Sequence, residues 1–102
     1  VNSSSTAYST SSDRRLKSNI QDAASASDKI DAIQVRQFDW NADDSHQDYG
    51  LIAQELQPIE PMAVSGDENS DEMMSVDYSK LVPMLIKEIQ ELRSRVATLE
   101  AN

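Results

Sequence analysis

Ser12 and Lys17 stand five positions apart, with Asp13, Arg14, Arg15 and Leu16 between them. A serine hydroxyl with an amine as its base is a nucleophilic pair in which lysine takes the place of the histidine of the better-known triad. The ordinary lysine pKa is about 10.4, so a lysine base near neutrality must be brought down by about three, roughly 4 kcal/mol of environment. Burial beside Arg14 and Arg15 would favour the neutral amine, whereas the carboxylate of Asp13 opposes it. Spacing adds a constraint. Residues five apart sit about 140° round a helix, and an odd spacing on a strand puts them on opposite faces. The two side chains must therefore meet through a turn, or the lysine must come from a neighbouring chain. The same residues also suit a plain structural role, with Ser12 or Asp13 capping a short helix whose basic residues are solvated.

Several elements must position this stretch. Residues 1–11 are mostly Ser and Thr and read in isolation as a linker. Residues 27–33 offer a capping serine and apolar Ile30 and Ile33, which predicts a short helix. Residues 35–40, with Val35, Phe38 and Trp40, read as a strand, and residues 41–48 as a polar turn region carrying His46. Residues 50–57 place Leu51, Ile52, Glu55 and Leu56 at helical spacing, ended by Pro58 and Pro61. Residues 62–64 and 73–76 read as two short strands flanking an acidic hairpin at 66–72. The acidic residues of that hairpin, Asp67, Glu68, Asp71 and Glu72, lack the spacing of an EF-hand and read as solvated.

The last segment carries the strongest periodicity. Val82, Leu85, Ile89, Leu92, Val96 and Leu99 step alternately by three and four, an a/d heptad seam with β-branched residues at a and leucine at d. Glu88 and Arg93, then Arg95 and Glu100, fall at g and the following e, attractive in a parallel bundle and equally matched in an antiparallel one. Pro83 is tolerable only near a helix start, which puts the N-cap around Asp77 or Ser79 and the helix over residues 79–101. So short a coil is marginal alone and needs support from a globular part. The residue types at a and d by themselves favour two strands.

Composition sets the bounds. The chain has 102 residues, 38% of them hydrophobic, and a formal net charge of −9, which suits one small domain that needs partners to complete its core. The acidic balance argues against nucleic acid or an anionic membrane as ligand. No apolar run approaches the roughly 20 residues of a membrane span. With no cysteine and one histidine, no disulfide, metal site or cofactor is expected.

Ser12-Asp13-Arg14-Arg15-Leu16-Lys17-Ser18-Asn19-Ile20, then Phe38-Asp39-Trp40, then Tyr49-Gly50-Leu51-Ile52-Ala53-Gln54-Glu55-Leu56, then Val76-Asp77-Tyr78-Ser79-Lys80-Leu81-Val82-Pro83, run in the order found in one known family. They resemble the C-terminal intramolecular chaperone domain of phage tail spikes, tail fibres and neck appendage proteins, the peptidase S74 family of the endosialidase type. A related module occurs in myelin regulatory factor proteins. The resemblance implies an α+β domain of short strands and helices ending in a long helix that forms a parallel trimeric coiled coil. It also implies a homotrimer that helps fold a β-rich phage fibre upstream in the same polypeptide and then removes itself by autoproteolysis. Ser12 and Lys17 map onto the family's serine-lysine dyad, and the cut falls between Ser12 and Asp13. Residues 1–12 would then be the end of the fibre and 13–102 the chaperone, released after assembly of a virion protein made in the host cytoplasm. Arg14, Arg15, His46, Gln54 and Glu55 are the candidates for supporting the site. A serine attacking its own carbonyl closes a four-membered ring, whereas attack on the preceding carbonyl, an N-to-O acyl shift, passes through a five-membered one; the residues leave the reacting bond open. A module that trimerises and caps the fibre without cutting is the alternative, with Ser12 and Lys17 structural.

Overall fold

Leu56, Ala63 and Leu81 form the centre of the core, with Ile33, Leu51, Val64, Val76 and Met84 packed around them. The computed structural model describes residues 11–102. The expectation for residues 1–12 as the end of a fibre therefore falls almost wholly outside the described residues. The described chain is α+β. It holds helix α1 (Ser27–Ala32), strands β1 (Arg36–Asp39) and β2 (His46–Gly50), helix α2 (Ala53–Leu56), strands β3 (Val64–Ser65) and β4 (Ser75–Val76), and helix α3 (Val82–Glu100). Single 3-10 turns stand at Arg14–Leu16, Pro61–Ala63 and Tyr78–Leu81.

β1 and β2 pair antiparallel through Arg36 with Gly50, Phe38 with Gln47 and Asp39 with His46, and a bulge lies between Arg36 and Phe38. The connecting turn is held by Trp40 N–H donating to the Ser45 carbonyl at 2.8 Å, and by the Asp43 carboxylate, which accepts from the Ser45 amide and hydroxyl at 3.0 and 2.7 Å. Asp44 takes φ 58° there, a left-handed position that aspartate tolerates. Phe38 and Trp40 share one face two residues apart and meet edge to face, 5.3 Å between ring centres. Glycine at position 50 is required by close approach, since a Cβ there would stand 2.7 Å from the Phe38 ring.

α2 delivers Leu56, 2% exposed, into the core. Pro61 begins the 3-10 turn that carries Ala63 against it. β3 and β4 pair antiparallel across the acidic loop, which Gly66 opens at φ 101°. The Ala63 carbonyl accepts from Asp77 N–H at 2.8 Å. The Asp77 carboxylate then caps the Tyr78–Leu81 turn through Ser79 N–H at 3.0 Å, and that turn runs straight into the 19-residue α3 with Pro83 in its first turn.

Four expectations need correction. His46 lies in strand β2 and not in a polar turn, because the ladder from β1 reaches it through Asp39. Helix α2 is a single turn beginning at Ala53, since Gly50 is spent as the last ladder residue of β2. Ser27 does not cap α1: the N-cap is Ala26, and the Ser27 hydroxyl donates instead to Glu88 of α3 at 3.0 Å. Ser25 joins it by donating to Glu91 at 2.8 Å, so α1 is fastened to α3 by serine-to-carboxylate hydrogen bonds. The strands expected over residues 62–64 and 73–76 are shorter than that, with Met62 and Ala63 in a 3-10 turn.

The radius of gyration is 17.5 Å, against about 13 Å for a closed globule of this length. α3 projects its seam into solvent: Val82, Leu85, Ile89, Leu92, Val96 and Leu99 are all exposed.

Leu56→Ala is expected to lower stability by about 2–5 kcal/mol, read as a fall in the urea midpoint. The Asp77 carboxyl is held below its ordinary range, first by the Ser79 hydroxyl. A depressed carboxyl contributes stability that is present above its unfolded pKa and lost as pH falls through the lower folded value. Asp77→Asn keeps a capping oxygen without the charge, so the melting-temperature gap between wild type and this variant should close as pH drops below about 4.

Candidate active site

Asp13 starts the site by capping the 3-10 turn Arg14–Leu16. Its Oδ1 accepts from Arg15 N–H at 2.8 Å, and its backbone carbonyl accepts from Leu16 N–H at 3.0 Å. Lys17 N–H closes the turn on the Arg14 carbonyl at 3.0 Å, after which the chain is extended. This one turn reverses the direction that a helix or strand would impose on residues five apart. Lys17 Nζ donates to Ser12 Oγ at 2.6 Å within one chain. Of the two routes open from spacing, the turn is the one that a single chain provides.

The second consequence concerns charge. Arg15 donates through Nε to Asp13 Oδ1 at 3.1 Å and through a terminal guanidinium nitrogen to Oδ2 at 2.8 Å. The fork occupies both carboxylate oxygens. It holds the Asp13 carboxyl below its usual range, the side chain of Arg15 acting first and its backbone N–H second. Arg14 makes no ion pair among the described residues. Ser12, Lys17 and the whole turn are exposed in the single chain, so nothing there excludes water from the pair.

The other candidates lie elsewhere. His46 bridges the β1–β2 hairpin, with Nδ1 2.6 Å from Asp39 Oδ1 and Nε2 3.1 Å from Gln37 Oε1 and 3.2 Å from Asp48 Oδ1. Glu55 accepts a two-pronged pair from Arg36 at 3.0 and 2.9 Å, tying α2 to β1, and that pair holds its carboxyl low. Gln54 is on the exposed side of α2. His46, Glu55 and Gln54 make no hydrogen bond to Ser12 or Lys17 among the described residues. His46 braces the hairpin and Glu55 ties the helix to it.

A feature that sequence reasoning missed is an apolar groove of about 320 Å³ beside the start of α3, lined by Ile30, Ile33, Val35, Tyr49, Leu51 and Leu85 among others. Its residues come from four separate elements and loops, so no local pattern announces it. Neither Ser12 nor Lys17 lines it. Among the described residues, no group of histidine, cysteine or carboxylate side chains is placed to hold a metal ion. Among the described residues, no helix is long and apolar enough to cross a membrane.

Comparison with known proteins gives one family. The family model for peptidase S74, described as chaperone of endosialidase, matches residues 12–65. The match begins at Ser12 and takes in the hairpin, α2 and β3, while β4 and the heptad helix lie beyond it. No curated protein matches the chain. With more than half of its 102 residues covered, and with the description carrying both a chaperone role and a peptidase class, the chain belongs to the peptidase S74 family, the chaperone of endosialidase.

Proposed function

We propose that this chain is a self-cleaving trimerisation chaperone: it assembles through α3, assists the folding of a β-rich phage fibre or spike ahead of it, and then severs the bond between Ser12 and Asp13. The observation that carries the reading is the 2.6 Å approach of Lys17 Nζ to Ser12 Oγ across a capped turn. In the proposed step, Lys17 takes the hydroxyl proton as Ser12 Oγ forms a bond to a peptide carbonyl carbon. The amide C–N bond breaks, and the proton passes from Nζ to the leaving nitrogen. Water then hydrolyses the ester and restores the hydroxyl. Attack by Ser12 on its own carbonyl would close a four-membered ring. The cut after Ser12 therefore has the hydroxyl of one protomer act on the Ser12 carbonyl of another, with each lysine serving the serine of its own chain.

Assembly supports this step in a second way. Exclusion of water favours the neutral, basic form of a lysine, and the dyad is open in one chain. A neighbouring chain or the upstream fibre would supply the cover, which makes cutting follow folding. The heptad side chains on α3 favour the same assembly, since each large aliphatic contributes about 1.5–3 kcal/mol when fully buried. Exposure of the dyad equally favours a second reading, in which the module caps the fibre permanently and the Ser12–Lys17 contact is part of the turn.

Intact mass of the chain in its native polypeptide separates the two readings. Wild type is expected to yield a fragment beginning at Asp13, while Ser12→Ala and Lys17→Ala remain whole, slowed about a thousandfold or more. A fragment beginning at Ser12 would instead identify the acyl shift on the preceding carbonyl, and an uncut wild-type trimer would leave the capping module. Ile89→Asp, which puts a charge in the seam, is expected to turn the trimer into monomer in sedimentation and to stop the cut with it. A monomeric variant that cuts at the wild-type rate would sever the link between assembly and cleavage.

A further inference from the structure

Asp13 is the residue immediately after the proposed nucleophile, and its carboxylate is the natural rival of Ser12 for the lysine. An ammonium paired with a carboxylate stays charged, and it is turned away from the hydroxyl it should serve. The chain meets this problem with Arg15. Its fork fills Oδ1 and Oδ2 at 3.1 and 2.8 Å, and its backbone N–H adds a further donor to Oδ1 at 2.8 Å. Guanidinium keeps its proton at any working pH, and its planar pair of donors matches a carboxylate in a way that an ammonium does not.

We propose that Arg15 is a positioning residue for the cut, engaging both oxygens of Asp13 so that Lys17 is left to Ser12. This inference rests on the reading of Ser12 and Lys17 as the cleaving pair. Two features separate it from a merely structural role. The turn is already capped without the guanidinium, because Asp13 accepts from the Arg15 backbone and its carbonyl from Leu16. The Arg15 side chain is also 87% exposed, and an ion pair that open to solvent contributes little to stability. What the fork adds is the orientation of one carboxylate beside the scissile bond.

The test is a double-mutant cycle on single-turnover cutting, followed by intact mass in the native polypeptide, with Arg15→Ala, Asp13→Asn and the double variant. Asparagine caps a turn about as well as aspartate and cannot hold an ammonium by charge. Arg15→Ala is expected to slow cutting about tenfold against wild type, and to change the rate by less than about threefold in the Asp13→Asn background. Helix content and the trimer should be unchanged in every variant by circular dichroism and sedimentation. Equal slowing in both backgrounds, no slowing in either, or loss of the trimer on Arg15→Ala would each overturn the role assigned to Arg15 while leaving the dyad standing. A wild type that never cuts would remove the dyad reading, and this inference with it.

Discussion

Among the described residues, Leu56, Ala63 and Leu81, with a ring of half-buried neighbours and Ala26 buried apart from them, are the core that one chain makes. Fixing a residue's backbone costs about 1–2 kcal/mol, and fully burying a large aliphatic side chain returns about 1.5–3 kcal/mol. A core of this size cannot offset the ordering of the described chain. The accessible surface tells the same story: 8866 Å², where a closed monomer of this mass would present about 5,700 Å². Part of the excess lies in the exposed leucine, isoleucine and valine residues of α3. Exposed ion pairs such as Arg36 with Glu55 fix geometry but make up little of the deficit. In the proposed reading, this shortage of burial is what further copies of the chain would make up.

In the proposed reading, that shortage also sets the timing of the chemistry. A turn that brings Lys17 to Ser12 is local, needing only Asp13 as its cap, and forms in one chain. Water exclusion is not local. It depends on a surface that the isolated chain lacks, so geometry is present before assembly and the dry environment only after it. The alternation of preformed geometry with conditional solvation is a simple way to keep a peptidase silent while the polypeptide folds.

How far the sequence could be read follows from how local each signal is. The heptad seam of α3 needs only spacing, and Asp77 with Pro83 fixes its beginning. At Ser12 the spacing ruled out a regular element and left a turn or a neighbouring chain's lysine, and the hydrogen-bond geometry shows the turn within one chain. β2 was illegible because His46, Gln47, Asp48 and Tyr49 carry no alternation of polar and apolar residues, and only Gly50 of the strand is buried. Its pairing is decided by β1 and by a bulge, neither visible in its own residues. The length of α2 was misjudged for a related reason: Leu51, Ile52, Glu55 and Leu56 have helical spacing, but Gly50 is held in the ladder where the Phe38 ring leaves no room for a Cβ. The Arg15 fork on Asp13 was also out of reach. Sequence put an unfavourable carboxylate next to Ser12, and only geometry reveals that another side chain has taken it.

Local construction bears on chaperoning as well. Both hairpins join strands that follow each other in the chain, and α3 is a continuous helix, so the module is assembled largely from short-range contacts. Folding that depends on local contacts is fast, while the many non-local contacts of a β-rich fibre form slowly and expose strand edges meanwhile. A module of the first kind placed after a fibre of the second would reach its associated state first. It would then hold three unfinished chains at high effective concentration and in common register. In the proposed reading, a closed fibre would be held by its own unfolding barrier and would no longer need the module. On the same reading, a cut after residue 12 would be irreversible in effect: it would sever the covalent link between the two, and reversal would require the fibre to unfold without the element that nucleated it.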